Sequence, residues 1–235
     1  MEATHKSYNH GDSLTRIEEI LDSADNNYEE KNDVPSRSGL TFTNGYYVNC
    51  TALFVDICNS SDLPNKHTRP VLAKIYRSFI SEMVALFNSC DLCREVNIHG
   101  DCVWGVFNTP LKSDIESCLV LAAKANSLVK NINKRLEKKG YTTYEVGIGM
   151  DYGRALMIKA GHKGAAINDV VWMGDVVNQA CHLASYGNES YYDKTIMISK
   201  TIYNNLDDES KSLFDWNYNR GCYHGNVIWK YWEEE

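Results

Sequence analysis

Two long amphipathic stretches enclose two strand-like runs, and this order limits the folds that the chain can adopt. The first stretch begins at Pro70, since proline is favoured in the first turn of a helix. Its apolar side chains recur every three to four residues: Leu72, Ile75, Phe79, Met83 and Phe87. The second stretch runs from Ser113 or Asp114 to about Lys138 and ends at Gly140. The pattern predicts two long helices.

A short hairpin signal separates these helices. Residues 94–98 and 102–107 are strand-like and flank His99-Gly100-Asp101, which favours a tight turn. Upstream, residues 46–57 are rich in β-branched and aromatic side chains, which favours a strand. A strand, a helix, a hairpin and a second helix are therefore predicted in succession.

The C-terminal half continues the alternation. Residues 144–150 and 155–159 are predicted to form another strand pair across Asp151-Tyr152-Gly153. A helix and two short strands follow: 175–186, 195–198 and 227–231. The sequence contains no internal repeat. Hairpins that alternate with crossover helices predict an α+β sandwich of ferredoxin-like character.

Residues 1–44 differ in character from the rest of the chain. They are polar and mixed, apart from one stretch whose apolar residues have helical spacing: Leu14, Ile17, Ile20 and Leu21. Ser13 is a plausible N-cap for that helix. Residues 22–37 lack periodicity, which is typical of a linker. We therefore expect an N-terminal docking helix and linker over residues 1–44 and one domain over residues 45–235.

Composition excludes several classes of partner. The chain has 235 residues, 43% of them hydrophobic, which is enough for a substantial core. Its net charge of −7 argues against a nucleic-acid partner, because phosphate binding needs a basic face. No apolar run approaches the roughly 20 residues that cross a bilayer, and no signal-peptide pattern is visible. We expect a soluble cytoplasmic protein without membrane contact, whose eight cysteines stay reduced.

Two aspartates each close a short apolar run. Asp56 follows Ala52-Leu53-Phe54-Val55, and Asp101 lies in the predicted hairpin. An aspartate directly after a buried strand places a hard oxygen ligand at a sheet edge, and two of them can share a divalent cation that binds phosphate oxygens. Either aspartate alone is more simply a cap or turn former. The pair predicts a Mg²⁺ or Mn²⁺ site, because a βα unit beside a hairpin brings the two edges together.

Further polar groups are suited to a nucleotide. Asn59-Ser60-Ser61 offers free amides just ahead of a predicted helix, and such a turn can cradle phosphate oxygens. Asn178 and His182 are four residues apart in a predicted helix, so both project from one face. An amide and an imidazole there can orient a ribose and stabilise phosphoryl charge. The alternative is a helix with an ordinary polar outer face.

These motifs resemble those of the class III nucleotide cyclases. Phe54-Val55-Asp56-Ile57 resembles the family's first metal-aspartate strand, and His99-Gly100-Asp101 resembles its second. The segment Gly174–Leu183 resembles its transition-state helix. The resemblance implies a ferredoxin-like βααββαβ catalytic domain over residues 45–235.

The resemblance also implies how the site is assembled. In that family two chains pair head to tail as a dimer, and each site is composite. One chain would supply the metal ligands Asp56, Ile57 and Asp101 for two Mn²⁺ or Mg²⁺ ions. The partner of the homodimer would supply the catalytic residues Asn178 and His182. The turn after the first strand would bind the substrate: Ile57, Asn59, Ser60 and Ser61.

This chain departs from the family pattern at the positions that contact the nucleotide base. Four residues before the second aspartate, adenylate cyclases of the class carry lysine and guanylate cyclases carry glutamate, but this chain has Asn97. Three residues before Gly174, where adenylate cyclases usually place aspartate or threonine, this chain has Val171, followed by the bulky Trp172. A neutral amide both donates and accepts, which suits the edge of uracil or of cytosine. Tyr47 is a further candidate for contact with the base, with an ordinary core position as the alternative.

Wider stretches extend the resemblance. Residues 40–50, 70–77 and 223–228 resemble the pyrimidine cyclases of the Pycsar antiphage systems. That family makes cyclic UMP or cyclic CMP from the triphosphate and activates a neighbouring effector. Most members are uridylate cyclases, so the resemblance implies conversion of UTP to 3′,5′-cyclic UMP and pyrophosphate, with CTP as the alternative substrate.

Other functions stay open. A purine cyclase could read its base with other residues, and a degenerate cyclase could act as a nucleotide-binding regulator. The second option follows from His182, which stands where class III enzymes usually hold an arginine, and from His224, near an expected phosphate-binding lysine. Histidine is only partly charged at neutral pH. Lys159, Arg154 or Arg220 could supply the missing charge.

Overall fold

The computed structural model describes residues 2–164 and 166–232. The helices are α1 His10–Leu21, α2 Leu63–Lys66, α3 Arg69–Asn88, α4 Lys112–Glu137, α5 Asp175–Tyr186, α6 Lys200–Asn205 and α7 Asp208–Lys211. The strands are β1 Tyr28–Lys31, β2 Gly45–Ile57, β3 Cys93–His99, β4 Cys102–Phe107, β5 Val146–His162, β6 Ile167–Met173, β7 Ile196–Ile198, β8 Asp215–Asn217 and β9 Cys222–Gly225. None of the helices in these ranges is long and apolar enough to cross a membrane.

The strands form one mixed sheet in the order β3-β4-β2-β5-β7-β9-β8, with β1 beside β2 and β6 beside β5. The central strand β2 is antiparallel to both β4 and β5, and it pairs with β5 over its whole length. The succession β2, α2, α3, β3, β4, α4, β5 matches the predicted βααββαβ order. The predicted α+β fold class is confirmed.

Side chains alternate along β2 between two faces of the sheet. Leu53, Val55 and Ile57 join the large core formed with α3 and α4, which we call the helix face. Ala52 and Phe54 join a second cluster with the apolar residues of α5, which we call the α5 face. The periodic residues predicted for α3 are buried in the first core: Ile75, Phe79, Met83 and Phe87. Truncating a buried phenylalanine of this kind costs about 3–5 kcal/mol.

The prediction of a turn at residues 151–153 is wrong. β5 runs without interruption through Asp151, and its hairpin partner β6 lies beyond residue 166. The reason is tertiary, because all 13 residues of β2 pair with β5. Asp151 is tolerated inside the strand because its carboxylate accepts a hydrogen bond from the Tyr152 backbone N–H at 2.8 Å.

Two predictions at the chain ends also need correction. The terminal strand is Cys222–Gly225, whereas residues 227–231 contain no strand and end in a 3₁₀ turn, Lys230–Trp232. The supposed linker contains β1, which pairs in parallel with β2. Val34 and Leu40 are buried on the α5 face, so hydrophobic burial fixes this segment to the body. Helix α1 begins at His10 with Asn9 as its cap, and its apolar residues are exposed, so docking of this helix stays a prediction.

Candidate active site

The end of β2 and the β3–β4 turn place Asp56 beside Asp101. Asp56 is in register with Cys102, the residue after Asp101, and Gly100 has a φ of +63° that suits the tight turn. Burial, and then the negative charge of Asp101, raise the pKa of Asp56 to about 6, although the Ile57 backbone N–H acts in the opposite direction. Two carboxylates thus share a partly buried edge of the sheet.

The donor set at this edge suits Mg²⁺ or Mn²⁺. Both groups are carboxylates, and hard cations prefer oxygen ligands. Within residues 2–164 and 166–232, no third acidic, histidine or cysteine side chain completes a cluster. The Ile57 side chain is 3% exposed and packs into the helix-face core, so this residue can contribute only its backbone. A cation here would relieve the repulsion that raises the pKa of Asp56.

The predicted phosphate-binding turn follows β2 directly. Asn59 adopts a left-handed conformation with a φ of +50° and precedes a 3₁₀ turn over Ser60–Asp62. Asn59 and Ser61 are exposed and Ser60 is half-buried, so the turn that follows Asp56 is accessible to solvent. The short helix α2 then begins at Leu63.

Helix α5 lies directly on β5 because glycine leaves room for its backbone. A Cβ on Gly149 would meet the Ala180 carbonyl oxygen at 2.1 Å, and one on Gly147 would meet the Ala184 carbonyl oxygen at 1.9 Å. This packing buries one face of the helix: Val176, Val177, Ala180, Leu183 and Ala184. The opposite face is exposed and carries Asn178 and His182. Neither of these two side chains bonds to its own chain in the part that the structure describes, so both are free to meet a partner.

Asn97 lies on the α5 face of the sheet, as Asp56 does. It is in register with Trp104, whose ring stacks on Phe54 with a centroid distance of 4.9 Å. Its Nδ2 atom is buried and has no hydrogen-bond partner among the described residues. An orphaned buried donor is unusual in a folded protein, because it has lost water without replacement. A ligand that accepts a hydrogen bond would satisfy it.

Sequence reasoning missed Glu95, which shares this face with Asn97. Glu95 and Asn97 share a face because they are two residues apart in a regular part of β3, whereas the register shift between Cys93 and Glu95 leaves Cys93 packed against the helix-face core. Glu95 Oε1 accepts a hydrogen bond from Arg37 at 3.0 Å, and the same guanidinium reaches Asp169 at 3.2 Å. The two-residue spacing of Glu95 and Asn97 in a strand is a signal that could have found Glu95, whereas its partner Arg37 is remote along the chain.

The structure does not bring every predicted base contact together. Tyr47 faces away from Asp56, on the opposite side of β2, where its ring lies 3.8 Å from the Arg154 guanidinium. Val171 is in register with Ile158 and 38% exposed, whereas Trp172 is buried on the α5 face with Met157. Within one chain, Trp172 and not Val171 therefore lies on the face that carries Asn97.

Most of the candidate replacement cations are already engaged. Arg154 pairs with Glu30, and Arg220 donates to Asp193 at 2.7 Å. His224 is 8% exposed, and burial lowers its pKa, so it is a neutral side chain rather than a phosphate-binding cation. Lys159 lies over the Phe42 ring at 5.2 Å and takes part in no ion pair among the described residues. Lys159 and His182 are the remaining candidates.

Comparison with known proteins identifies the class. Residues 43–221 match the adenylate and guanylate cyclase catalytic domain family, and the chain belongs to that family. The chain is therefore an enzyme of the lyase class that forms cyclic nucleotides.

Two relatives that match most of the chain are both named uridylate cyclase. A uridylate cyclase of Gulbenkiania mobilis is 41% identical over 91% of this chain and 86% of its own length. A uridylate cyclase of Treponema porcinum is 38% identical over 88% of this chain and 71% of its own length.

Solved structures support the same fold at low identity. A class III adenylyl cyclase-like ATP-binding protein from Pseudomonas aeruginosa superposes with a TM-score of 0.70 at 18% identity. It covers 88% of this chain, which corresponds to 45% of that longer protein. The guanylyl cyclase Cya2 gives a TM-score of 0.59 at 18% identity, over 74% of this chain and 83% of its own.

Proposed function

We propose that this chain is a uridylate cyclase that converts UTP to 3′,5′-cyclic UMP and pyrophosphate. The observation that carries the proposal is the buried, unpartnered amide of Asn97 on the face that bears Asp56. Neither lysine nor glutamate, the purine readers expected from the class, stands there. The shared name of two relatives at 41% and 38% identity supports the same substrate.

The active site is composite and belongs to a head-to-tail homodimer. Asn178 and His182 are exposed on the outer face of α5, and their side chains have no hydrogen-bond partner among the described residues, as expected for groups that complete a second chain's site. Asp56 and Asp101 would form the other half of that composite site. Each dimer therefore contains two equivalent centres.

The proposed mechanism is an in-line phosphoryl transfer within one nucleotide. The ribose 3′-hydroxyl gives its proton to water, and its oxygen bonds to the α-phosphorus while the bond from that phosphorus to the bridging oxygen breaks and pyrophosphate leaves. Asn178 positions the ribose, and His182 donates to the phosphoryl oxygens. The backbone amides of residues 57–61 hold the departing pyrophosphate. Catalysis rests on positioning and charge neutralisation, without a covalent intermediate.

Divalent ions belong to this proposal as cofactors. Asp56, Asp101 and the Ile57 backbone would hold two Mn²⁺ or Mg²⁺ ions, which neutralise phosphate charge and lower the pKa of the attacking hydroxyl when bound. The aspartates contribute by fixing their carboxylates at one edge of the sheet.

The biological setting is also a proposal. Cyclic UMP would act as a cytoplasmic second messenger in a Pycsar antiphage system and bind a cyclic-nucleotide-activated effector. The resemblance of residues 40–50, 70–77 and 223–228 to that group supports this role. Loss of phage protection on deleting either this chain or the adjacent effector in the host would test it.

The product profile tests the activity. The full chain is incubated with ATP, GTP, CTP and UTP in separate reactions with Mn²⁺, and the cyclic products are identified by mass. We expect cyclic UMP and pyrophosphate as the main products. Cyclic CMP, or a cyclic purine nucleotide, as the main product would overturn the substrate assignment.

A nucleotide-binding regulator is the second candidate function. The neutral, buried state of His224 favours it, because this side chain cannot replace a phosphate-binding lysine in its own chain. Tight UTP binding without release of pyrophosphate would support the regulator over the cyclase. Turnover of any triphosphate would exclude it.

A further inference from the structure

Two orphaned donors mark one region of the α5 face. Three buried side-chain polar atoms have no hydrogen-bond partner among the described residues: Asn97 Nδ2, Trp172 Nε1 and the Tyr144 hydroxyl. Tyr144 belongs to the helix-face core, but Asn97 and Trp172 both lie on the α5 face. Two unsatisfied N–H groups on the same face point to a missing ligand with acceptor atoms.

Glu95 connects the two donors. It lies two residues before Asn97 on the same face of β3, so about 7 Å separates the two positions along the strand. The Trp172 indole lies close enough to Glu95 to oppose the rise in its pKa, and yet its N–H makes no hydrogen bond of normal geometry. A donor, an acceptor and a second donor therefore follow one another across this surface.

Arg37 and the Trp172 indole both approach the Glu95 carboxylate. Arg37 donates to Oε1 at 3.0 Å, and the Glu95 side chain is 9% exposed. Burial raises the pKa of Glu95, while the positive charge of Arg37 favours the ionised carboxylate. A cavity of about 360 Å³ borders Glu95 and is otherwise lined by residues 34–37, Arg94 and Met157, beside the positions of Asn97 and Trp172 rather than between them. Small-ligand pockets begin at about this size.

We propose that Asn97, Glu95 and Trp172 read the edge of uracil, an inference that rests on the proposed cyclase function. Uracil presents O4, N3–H and O2 in sequence, which is acceptor, donor and acceptor. Asn97 Nδ2 donates to one carbonyl, Glu95 Oε2 accepts from N3–H, and Trp172 Nε1 donates to the other carbonyl. The pattern on the protein is the complement of the pattern on the base.

Cytosine presents a different pattern to the same three groups. Its amino group is a donor and its N3 is an acceptor. Asn97 can rotate its amide to accept from the amino group, but a carboxylate at Glu95 cannot donate to N3. Glu95 therefore determines the choice of uracil over cytosine, which Asn97 alone leaves open. Leaving polar groups unpaired in a dry site is the strongest basis for rejecting a close analogue.

Arg37 acts as a positioning residue for Glu95. It belongs to a 3₁₀ turn, Arg37–Gly39, in the segment before the first long strand, and it holds Glu95 from outside the sheet. Asp169 receives the same guanidinium at 3.2 Å but is 54% exposed. Asp169 therefore offers a matched control, since its removal leaves the Arg37–Glu95 pair in place.

The test compares Glu95→Gln, Trp172→Phe and Asp169→Asn with the wild-type chain. The measured quantity is the ratio of kcat/KM for UTP to kcat/KM for CTP, with thermal melting as the check of folding. We expect the ratio to fall about 10- to 100-fold in Glu95→Gln, because an amide can donate to cytosine N3. We expect a smaller fall in Trp172→Phe and an unchanged ratio in Asp169→Asn. A merely structural defect would lower both substrates equally and leave the ratio unchanged.

A second measurement does not depend on folding of the variants. N3-methyl-UTP lacks the N3–H donor, so the wild-type chain should cyclise it at least about 100-fold less efficiently than UTP. An unchanged UTP-to-CTP ratio of kcat/KM in both Glu95→Gln and Trp172→Phe would overturn the base-reading assignment, and so would efficient use of N3-methyl-UTP. In either case, turnover of UTP would still support the cyclase function. Absence of turnover with all four triphosphates would overturn the cyclase function itself.

Discussion

Two carboxylate groups of this chain lie in opposite electrostatic situations. Asp56 and Asp101 share an edge of the sheet, and burial together with their mutual repulsion raises the pKa of Asp56 to about 6. Asp193 is also buried, but its pKa is lowered to about 2. Burial alone would raise the pKa of Asp193, and hydrogen bonds from Arg220, Ser190 and Asn217 outweigh that effect.

The difference in pKa distinguishes a carboxylate that stabilises the fold, Asp193, from one proposed to act in the active site, Asp56. The chain supplies every partner that Asp193 needs, with donors from Arg220 at 2.7 Å, Asn217 at 2.8 Å and Ser190 at 2.7 Å. For Asp56, the charge that shifts its pKa is that of another carboxylate, Asp101. This contrast is what we expect if the second acidic group binds the proposed cation.

Removing one carboxylate of the Asp56–Asp101 pair should have the largest effect on cyclase activity. Asp56→Asn should lower cyclase activity at least about 1,000-fold, because metal ligation stabilises several kcal/mol of developing phosphate charge. Its melting temperature in EDTA should equal or exceed that of the wild type, since the raised pKa shows that the ionised carboxylate is unfavourable there. Activity assays and thermal melting check the two effects separately. Loss of activity through unfolding, or retained turnover, would contradict this role for Asp56.

Mixing two inactive variants tests whether a partner chain completes the site at Asp56 and Asp101. Asp56→Asn and Asn178→Ala should each be nearly inactive alone. Mixed in equal amounts after chain exchange, they should regain about a quarter of wild-type activity, because half of the dimers are mixed and each holds one intact site. Mixing Asp56→Asn with Asp101→Asn is the control and should restore little. No recovery in the first mixture would show that each chain holds its own complete site.

Much of this comparison was predictable from local patterns. The α5 helix was predicted over residues 175–186, and the structure has the same bounds. Asp56 and Asp101 were predicted to meet, because a strand end and a hairpin turn are local signals that a common sheet brings together. These predictions depend on short-range sequence and on one rule of sheet topology.

Long-range pairing determined what the sequence did not reveal. Asp151 and Gly153 have the composition of a turn, yet pairing along all of β2 holds them in one strand. Glu95 shares a face with Asn97 by ordinary strand alternation, but its partner Arg37 comes from a segment that lacks periodicity. Such contacts join residues far apart in sequence, so no local window contains them.

Breaking the satisfied carboxylate should affect stability rather than activity. Asp193→Asn should lower the free energy of unfolding at pH 7 by about 2 kcal/mol, which corresponds to the shift of its pKa from 3.8 to about 2. A lowered folded-state pKa stabilises the protein above about pH 4, and this contribution disappears as the pH falls toward 2. Denaturant unfolding at pH 7 and pH 3 should therefore show a smaller difference between variant and wild type at pH 3.

The control for that variant is Asp215→Asn. Asp215 pairs with Lys194 at 2.6 Å, but its side chain is 75% exposed, and exposed ion pairs contribute little. We expect unfolding curves close to those of the wild type. An equal loss of stability in both variants would contradict the distinction between the buried network and a surface pair.

The smallest expected effect is the rise in melting temperature on adding a divalent ion, which should depend on Asp56 but not on Asp193. At about ten times its dissociation constant, Mn²⁺ should add roughly 1.4 kcal/mol to the folded state. In a chain of this size that corresponds to a rise of about 3–6 °C in the melting temperature. The rise should persist in Asp193→Asn, which begins from a lower melting temperature, and should disappear in Asp56→Asn, since only that variant lacks half of the carboxylate pair. An equal rise in both variants would mean that Mn²⁺ binds elsewhere, and the repulsion at Asp56 would then need another explanation.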